Sequence, residues 1–130
     1  MKKTGILHAE LNRQVALLGH TDRFIIADSG LPLPRTLPTI DLALTPGHID
    51  FQTVLDALLE EVVVQEHIIA TQTSQSPAGS WITQRATHLG TSHAMDHEDF
   101  KQTIGTCQFA VRTGEQTPYA NIICISGVPF

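Results

Sequence analysis

The sequence predicts an α/β fold in which a central, mostly parallel or mixed sheet is flanked by helices on both faces, as a three-layer sandwich. Helical and strand-like segments alternate along the chain. The strand-like segments are continuous apolar runs, as in sheets that are covered on both faces. A length of 130 residues is most simply one domain, residues 1–130, and 42% apolar residues are enough for a core. Charged residues, at 16%, fall below the usual quarter, which favours extra burial in subunit contacts.

The first elements follow from apolar spacing. His8–Leu18 carries apolar residues at helical intervals and predicts a helix. Gly19 follows, where a helix end favours a residue that tolerates positive φ. The apolar run Phe24–Ala27 predicts a short buried strand, and a proline-containing loop comes after it. Thr39–Leu44 alternates weakly between apolar and polar residues, which predicts a second strand.

The middle of the chain combines a clear helix with a less regular segment. Asp50 is a suitable N-cap for a helix over Phe51–Glu61, whose apolar residues share one face. Val62–Ala70 is rich in β-branched residues and predicts a third strand. The polar stretch Thr71–Ser80 contains proline and glycine and predicts a loop. A short helix over Trp81–Leu89, ending before a glycine, is expected next.

The last third contains one helix and two strands. Asp96 is a suitable N-cap for a helix over His97–Thr106. The apolar runs Phe109–Val111 and Asn121–Ser126 predict two buried strands. With the earlier segments, these strands complete the sheet that the fold class requires.

Composition excludes several classes of partner. The net charge is −5 and there is no run of Lys or Arg, so no nucleic-acid or anionic membrane surface is expected. There is no apolar window long enough to span a membrane and no secretory signal pattern, so we expect a cytoplasmic protein.

Cys107 and Cys124 lie in apolar segments and are expected to be buried thiols, with a disulfide between neighbouring strands left open.

Two residues flank the first predicted strand and could carry chemistry. His20 lies in the turn before the strand, and Asp28 follows the strand directly. Histidine exchanges protons near neutral pH, and aspartate can orient an imidazole or accept hydrogen bonds. Each residue also fits an ordinary role, His20 as a polar turn or capping residue and Asp28 as an acceptor for turn amides.

A second group of candidates lies later in the chain. His97 is the first residue of its predicted helix, and a neutral imidazole there can both donate and accept hydrogen bonds. Tyr119 and Asn121 lie in a polar, turn-rich stretch before the last strand. Their hydroxyl and amide groups suit a polyhydroxylated ligand. All three also fit exposed first-turn or loop positions that bind nothing.

Other kinds of chemistry find little support. His88, His93 and His97 match no standard zinc spacing, so we expect no metal site. The sequence has no glycine-rich phosphate loop, no serine nucleophile elbow and no recognisable Cys–His pair. Phosphoryl transfer and acyl transfer are therefore not expected.

Short motifs distributed over nearly the whole chain resemble those of the D-ribose pyranase family, whose relatives include the L-fucose mutarotases. Each motif alone is weak, but their order along the chain is specific. The motifs are Leu18-Gly-His-Thr-Asp22, Ala27-Asp-Ser-Gly-Leu-Pro32, Ile40-Asp-Leu-Ala-Leu44, His97-Glu-Asp-Phe-Lys101, Val111-Arg-Thr-Gly-Glu115, Pro118-Tyr-Ala-Asn-Ile122 and Gly127-Val-Pro-Phe130.

This resemblance implies an isomerase that interconverts the pyranose and furanose forms of D-ribose without a metal or nucleotide cofactor. It implies a homo-oligomer, typically a decamer of two pentameric rings, with sites at subunit contacts. His20 matches the position of the family's proton donor. The matching sugar-binding positions are Asp28, His97, Tyr119, Ala120 and Asn121.

Two alternatives stay open at this point. A related mutarotase that acts on fucose or another sugar would use the same chemistry. A non-catalytic sugar-binding accessory of a transporter or kinase would need only the binding residues. In the catalytic interpretation, His20 exchanges the proton, while Asp28 either orients that imidazole or holds a sugar hydroxyl.

Overall fold

The computed structural model describes residues 1–130 and contains five α-helices, six strands and two short 3-10 helices. In chain order the helices and strands are α1 (Ala9–Ala16), β1 (Arg23–Ala27), β2 (Thr39–Asp41), α2 (Phe51–Leu59), β3 (Val64–Ala70), α3 (Pro77–Thr83), α4 (Ala86–Leu89), β4 (Thr91–Met95), α5 (His97–Thr103), β5 (Phe109–Arg112) and β6 (Ile122–Ser126). The 3-10 helices span Thr71–Gln75 and Ile104–Thr106. No helix has the length and apolarity needed to cross a bilayer.

All six strands belong to one mixed sheet in the order β2-β5-β1-β6-β3-β4. β5 runs parallel to its neighbours β1 and β2, and β4 runs parallel to β3. β6 is antiparallel to both β1 and β3. The start of β6 therefore lies beside the end of β1, which brings two distant parts of the sequence together.

Helices cover both faces of this sheet, as the sequence predicts. Successive residues of β1 point to opposite faces, because side chains alternate along a strand. Ile26 packs in a core with side chains of α1, α2, α3 and α4. Ile25 packs in a second core with Phe100 of α5 and with Leu31 and Leu37 of the loop after β1. The three-layer α/β prediction is confirmed.

The first helix is shorter than predicted. The Nδ1 atom of His8 accepts a hydrogen bond from the Leu11 backbone N–H at 3.2 Å and thereby caps α1. The helix ends at Ala16. Gly19 does not adopt the positive φ that we expected, and Thr21 has φ of 69° instead. The residue with positive φ in this turn is therefore Thr21, two positions after the glycine.

The segment between β3 and α5 differs most from the sequence prediction. The expected loop over 71–80 is wrong, since a 3-10 helix and the start of α3 occupy it. Ser76 caps α3 by accepting a hydrogen bond from the Ala78 N–H at 3.3 Å, and Pro77 takes the first helical position. The expected helix over 81–89 is divided between the end of α3 and α4. The sequence prediction also lacks β4, an exposed edge strand.

The last part of the chain follows the prediction closely. Asp96 caps α5 through the backbone N–H of Glu98 at 3.0 Å. The predicted helix over 97–106 ends in a 3-10 turn after Thr103. β5 and β6 are buried strands, as expected. Cys107 and Cys124 are free and buried, so the thiol prediction is confirmed and the disulfide alternative is not realised.

Candidate functional site

The two ends of β1 carry the two groups of predicted site residues. Asp28 follows the last residue of β1, and Asn121 precedes the first residue of β6. Because β1 and β6 are antiparallel neighbours, Asp28 and Asn121 meet at one end of the sheet. His20 precedes β1 and lies at the other end, beside Ser126. We call these the Asn121 end and the His20 end.

At the Asn121 end, the side chains of Asp28 and Asn121 are joined directly. The backbone N–H of Asp28 donates to Oδ1 of Asn121 at 2.8 Å, and Nδ2 of Asn121 donates to Oδ2 of Asp28 at 2.9 Å. The other carboxylate oxygen accepts the backbone N–H groups of Gly30 and Leu31 at 2.9 and 2.8 Å. Three N–H donors therefore fix this carboxylate, which remains an acceptor for a ligand hydroxyl.

The loop after Asp28 is fixed by Arg112 and Glu115, which no local sequence pattern marks as site residues. Arg112 donates from Nε and Nη2 to the Ser29 carbonyl at 3.2 and 3.0 Å, and its Nη1 pairs with Asp41 at 2.9 Å. The carbonyl of Glu115 accepts the Ser29 N–H at 2.9 Å. The buried Glu115 carboxylate also accepts the backbone N–H of Phe51 at 3.2 Å, which connects this loop to the start of α2.

His97 and Tyr119 form an aromatic pair at the Asn121 end. Their ring centroids lie 5.1 Å apart at an interplanar angle of 84°, and the Phe100 ring stacks with that of His97 at a centroid distance of 6.4 Å. The His97 backbone N–H donates to Oε1 of Gln72 at 3.1 Å. Nδ1 of His97 is buried and has no hydrogen-bond partner. Such an atom often marks a place where a ligand or water completes a site.

The Gln72 side chain also supports the start of α5. Its Nε2 donates to Oδ1 of Asp96 at 2.9 Å. This hydrogen bond, together with the one from the Glu98 N–H, lowers the pKa of Asp96. The cap that positions His97 is therefore ionised at neutral pH and favourable at a helix N-terminus.

Tyr119 adopts a backbone conformation that is unusual for a residue other than glycine, with φ of 61°. Thr73 donates to the Tyr119 carbonyl at 3.1 Å, and Ser76 donates to the Pro118 carbonyl at 2.6 Å. The 3-10 helix and the N-cap of α3, where the sequence predicts a loop, thus hold the turn that carries Tyr119. Ala120, the next predicted position, is fully buried in the core with α1–α4.

His20 is exposed and contacts none of these residues within the chain. Its Nε2 lies 2.9 Å from Oε1 of Gln65 on β3. The five residues of β1 between the two ends correspond to about 16 Å at the usual rise of a strand. A single chain therefore brings Asp28, His97, Tyr119 and Asn121 to one end and leaves His20 at the other.

Cavities lie at both ends of the sheet. A cavity of about 320 Å³ at the Asn121 end is lined by Asp28, Ser29, Gly30, Glu115 and Gln116. Its volume lies in the usual range of small-molecule sites, about 300–1,000 Å³. A smaller cavity of about 210 Å³ lies at the His20 end and is lined in part by Leu18, Val63 and Ser126.

The three histidines considered for a metal site are not grouped. The structure has no cluster of three or more His, Cys, Asp or Glu side chains with metal-binding geometry. His93 instead lies on β4 with its Nε2 at 2.8 Å from Oε2 of Glu66 on the neighbouring strand. His97 belongs to the aromatic pair with Tyr119.

Comparison with known proteins gives full-length matches. The model of the RbsD / FucU transport protein family matches residues 1–129. A D-ribose pyranase of Cutibacterium acnes is 46% identical over 130 residues, which cover 100% of both chains. A D-ribose pyranase of Geobacillus thermodenitrificans is 46% identical over 132 residues, which cover 100% of this chain and 99% of the relative.

Solved structures share the same architecture. Bacillus subtilis RbsD, solved in complex with D-ribose, superposes with a TM-score of 0.94 at 39% identity and complete coverage of both chains. The fucose mutarotase of Streptococcus pneumoniae, solved with L-fucose, has a TM-score of 0.84 at 20% identity and full coverage of both chains. At that lower identity the likeness concerns the fold alone.

Proposed function

Because this chain belongs to the RbsD / FucU transport protein family, we propose that it is a D-ribose pyranase, an isomerase that interconverts the pyranose and furanose forms of D-ribose. The observation that carries the proposal is full-length similarity, at 41–46% identity, to relatives named D-ribose pyranase. The ribose complex of the Bacillus subtilis relative, at 39% identity, supports the same sugar.

Ring opening and ring closure each require two proton transfers, and neither involves a redox change. The ring oxygen of the hemiacetal receives a proton while the anomeric hydroxyl loses one, and the ring opens to the aldehyde. Closure through a different hydroxyl then changes the ring size. A positioned acid or base typically accelerates such a step by about 10²–10⁴-fold. We assign the proton donor's role to His20, because histidine changes its protonation state near neutral pH.

The groups at the Asn121 end suit the sugar hydroxyls. The fixed Asp28 carboxylate can accept a hydrogen bond from a sugar hydroxyl, while His97 and the Tyr119 hydroxyl offer further donors and acceptors. The Asn121 amide already uses both of its atoms on Asp28, so its contribution to binding includes holding that carboxylate. Ala120 contributes through the backbone turn between Tyr119 and Asn121.

The separation of His20 from Asp28 along β1 supports a site that two chains build together. We propose that the Asn121 end of one subunit meets the His20 end of its neighbour, so that each site draws residues from two copies. Exposed apolar side chains lie at both ends and support such a contact, Leu17 and Val63 near His20 and Leu44 near Ser29. A homo-oligomer of this kind, expected as a decamer of two pentameric rings, belongs to the proposal.

The domain and compartment assignments also belong to this proposal. One continuous sheet with a core on each face supports a single domain over residues 1–130. Two free, buried cysteines fit a protein that works in a reducing compartment such as the cytoplasm.

Saturation-transfer NMR tests the function directly. With D-ribose, we expect the protein to accelerate exchange between pyranose and furanose signals. With L-fucose, we expect little acceleration of anomer exchange. Faster exchange for fucose than for ribose would support the mutarotase alternative. Binding of ribose with no change in either exchange rate would support a non-catalytic accessory and overturn the proposal.

A pair of histidine variants tests the assigned proton donor. His20→Ala is expected to lower the ribose exchange rate by about 10²-fold or more, because the proton transfer is lost. The matched control is His88→Ala, since His88 is exposed and lies on α4. A His20→Ala protein with the wild-type rate would remove His20 from the mechanism.

A further inference from the structure

Gln65 is an extra residue in β3. Across the antiparallel pairing with β6, Val64 lies opposite Ser126 and Glu66 lies opposite Ile125, so Gln65 has no partner. This is a β-bulge, a device that redirects a side chain and is frequent beside active sites. The bulge lies at the His20 end of the sheet.

Burial along β3 shows the effect of the bulge on the strand. Val64 and Ile69 both pack in the core with α1–α4. Residues five positions apart on a regular strand point to opposite faces. The extra residue shifts the alternation of β3 side chains between the two faces of the sheet by one position. Gln65 is the residue that does not take part in this alternation. Its Oε1 lies 2.9 Å from Nε2 of His20.

Both partners of this contact are fixed by the sheet. The turn that carries His20 is joined to β6, because Ser126 donates to the Gly19 carbonyl at 2.6 Å and accepts the Thr21 N–H at 2.9 Å. On the other side, Gly90 packs so closely on Gln65 that a Cβ there would lie 1.9 Å from the Gln65 carbonyl oxygen. The backbone of Gln65 is thus held in place, and its side-chain amide extends from a fixed position.

We propose that Gln65 is a positioning residue that holds the His20 imidazole with its proton on Nε2 and leaves Nδ1 to exchange a proton with the substrate. An amide oxygen only accepts hydrogen bonds, so Nε2 of His20 must carry the hydrogen. In the neutral ring the lone pair is then on Nδ1. This inference rests on the proposed function for its catalytic meaning, but the tautomer can be measured without any activity.

The first experiment is ¹⁵N NMR of the intact protein labelled at histidine. The His20 signals are identified by their absence from a His20→Gln variant. In the wild type we expect neutral His20 to have a protonated Nε2 and an unprotonated Nδ1. In Gln65→Met, which has a similar length but no amide oxygen, we expect a larger share of the other tautomer.

A charged variant provides a second, independent signature. Gln65→Glu keeps an acceptor at Nε2 and adds a negative charge, so the His20 titration midpoint is expected to rise by up to about one pH unit. The matched control is Gln84→Glu, because Gln84 is exposed at the end of α3 and has no side-chain hydrogen bond. It adds the same charge and should leave the His20 midpoint unchanged.

Ribose exchange then connects the tautomer to catalysis. Gln65→Met is expected to lower kcat by about tenfold with little change in KM, the lower end of the loss seen when the hydrogen-bond partner of a metal-bound histidine is removed. Gln65→Glu is expected to retain activity and to move the limb of the pH profile that reports His20 to higher pH. Absence of ribose exchange in the wild type would overturn the proposed function, and the NMR results would still decide the role of Gln65.

Any one of three results would overturn this inference. The first is a wild-type His20 with its proton on Nδ1. The second is a folded Gln65→Met protein with the wild-type tautomer, kcat and pH profile while His20→Ala is inactive. An unchanged His20 midpoint in Gln65→Glu would likewise show that the two side chains do not interact in solution.

Discussion

Asn121 holds Asp28 at two points, since its amide oxygen accepts the Asp28 backbone N–H at 2.8 Å and its amide nitrogen donates to the Asp28 carboxylate at 2.9 Å. The two residues are 93 positions apart in the chain. The contact therefore joins the end of β1 to the start of β6 in the centre of the sheet. The position of the Asp28 carboxylate thus depends on the pairing of these two strands.

We expect Asn121→Leu to lower both stability and ribose affinity. Asn121 is only 2% exposed, so the apolar replacement leaves the partly buried Asp28 N–H without its acceptor. Such a loss costs about 1–3 kcal/mol. Urea unfolding and a ribose titration provide the measurements. The matched control is Gln102→Leu on the exposed side of α5, and equal unfolding midpoints for the two variants would contradict the prediction.

Mixing two inactive variants should restore activity if each site uses two chains. His20→Ala and Asp28→Asn are each expected to be inactive in ribose exchange. After joint unfolding and refolding, random assembly across a heterologous contact should complete about a quarter of the sites. Mixing His20→Ala with a His20→Ala/Asp28→Asn double variant is the control. No recovery in the first mixture would place the whole reaction within one chain.

Stability should fall as the pH decreases below about 6.5, and His67 should contribute to this fall. Burial lowers the pKa of His67 from 6.5, and Nδ1 of the ring donates to the Leu89 carbonyl at 3.0 Å. The unfolded chain therefore binds this proton at a higher pH than the folded chain does. The contribution of neutral His67 to the free energy of unfolding is complete above about pH 6.5. It is lost as the pH falls toward the lower pKa of the folded chain, with a slope of at most about 1.4 kcal/mol per pH unit.

Urea midpoints measured between pH 5 and pH 8 test this prediction. His67→Gln retains an N–H donor for Leu89 but does not titrate, so its midpoint should depend less on pH than that of the wild type. His88→Gln, at an exposed position, should behave like the wild type. Parallel curves for wild type and His67→Gln would show that His67 does not cause the dependence.

Both cysteines should resist alkylation in the folded protein. Burial raises the pKa of Cys107 to about 12, and burial also raises the pKa of Cys124. The thiolate is the reactive form, so both thiols are protonated as well as inaccessible at pH 8. Mass spectrometry after treatment with iodoacetamide should show no modification in buffer and two modifications in urea. Rapid modification of the folded protein would contradict this.

The sequence was informative where apolar residues recur at regular spacing. β1, β5 and β6 are buried runs, and the sequence predicts their ends to within one residue. The sequence does not predict β4, because four of its five residues are exposed and it pairs only with β3, so no apolar pattern marks it. The Ser76-Pro77 start of α3 was a usable signal, but the polar composition around it favoured a loop.

The candidate site was only partly predictable for a related reason. Local patterns place Asp28 and His97 at the ends of elements, and the structure agrees. The pairing of Asp28 with Asn121 depends on β6 running antiparallel to β1, a non-local choice that no short window contains. Gln65 could not be identified, because a bulge is defined by the partner strand rather than by the bulged residue.

β1 separates an acid–base group from the groups that suit a sugar, so the two ends of the chain are different. Each copy has one end that supplies His20 and one end that supplies the sugar-binding residues. In an open row of such units, the first and the last each keep half of an unfinished site. Only a closed circle gives as many finished sites as copies, so catalysis itself would favour ring closure.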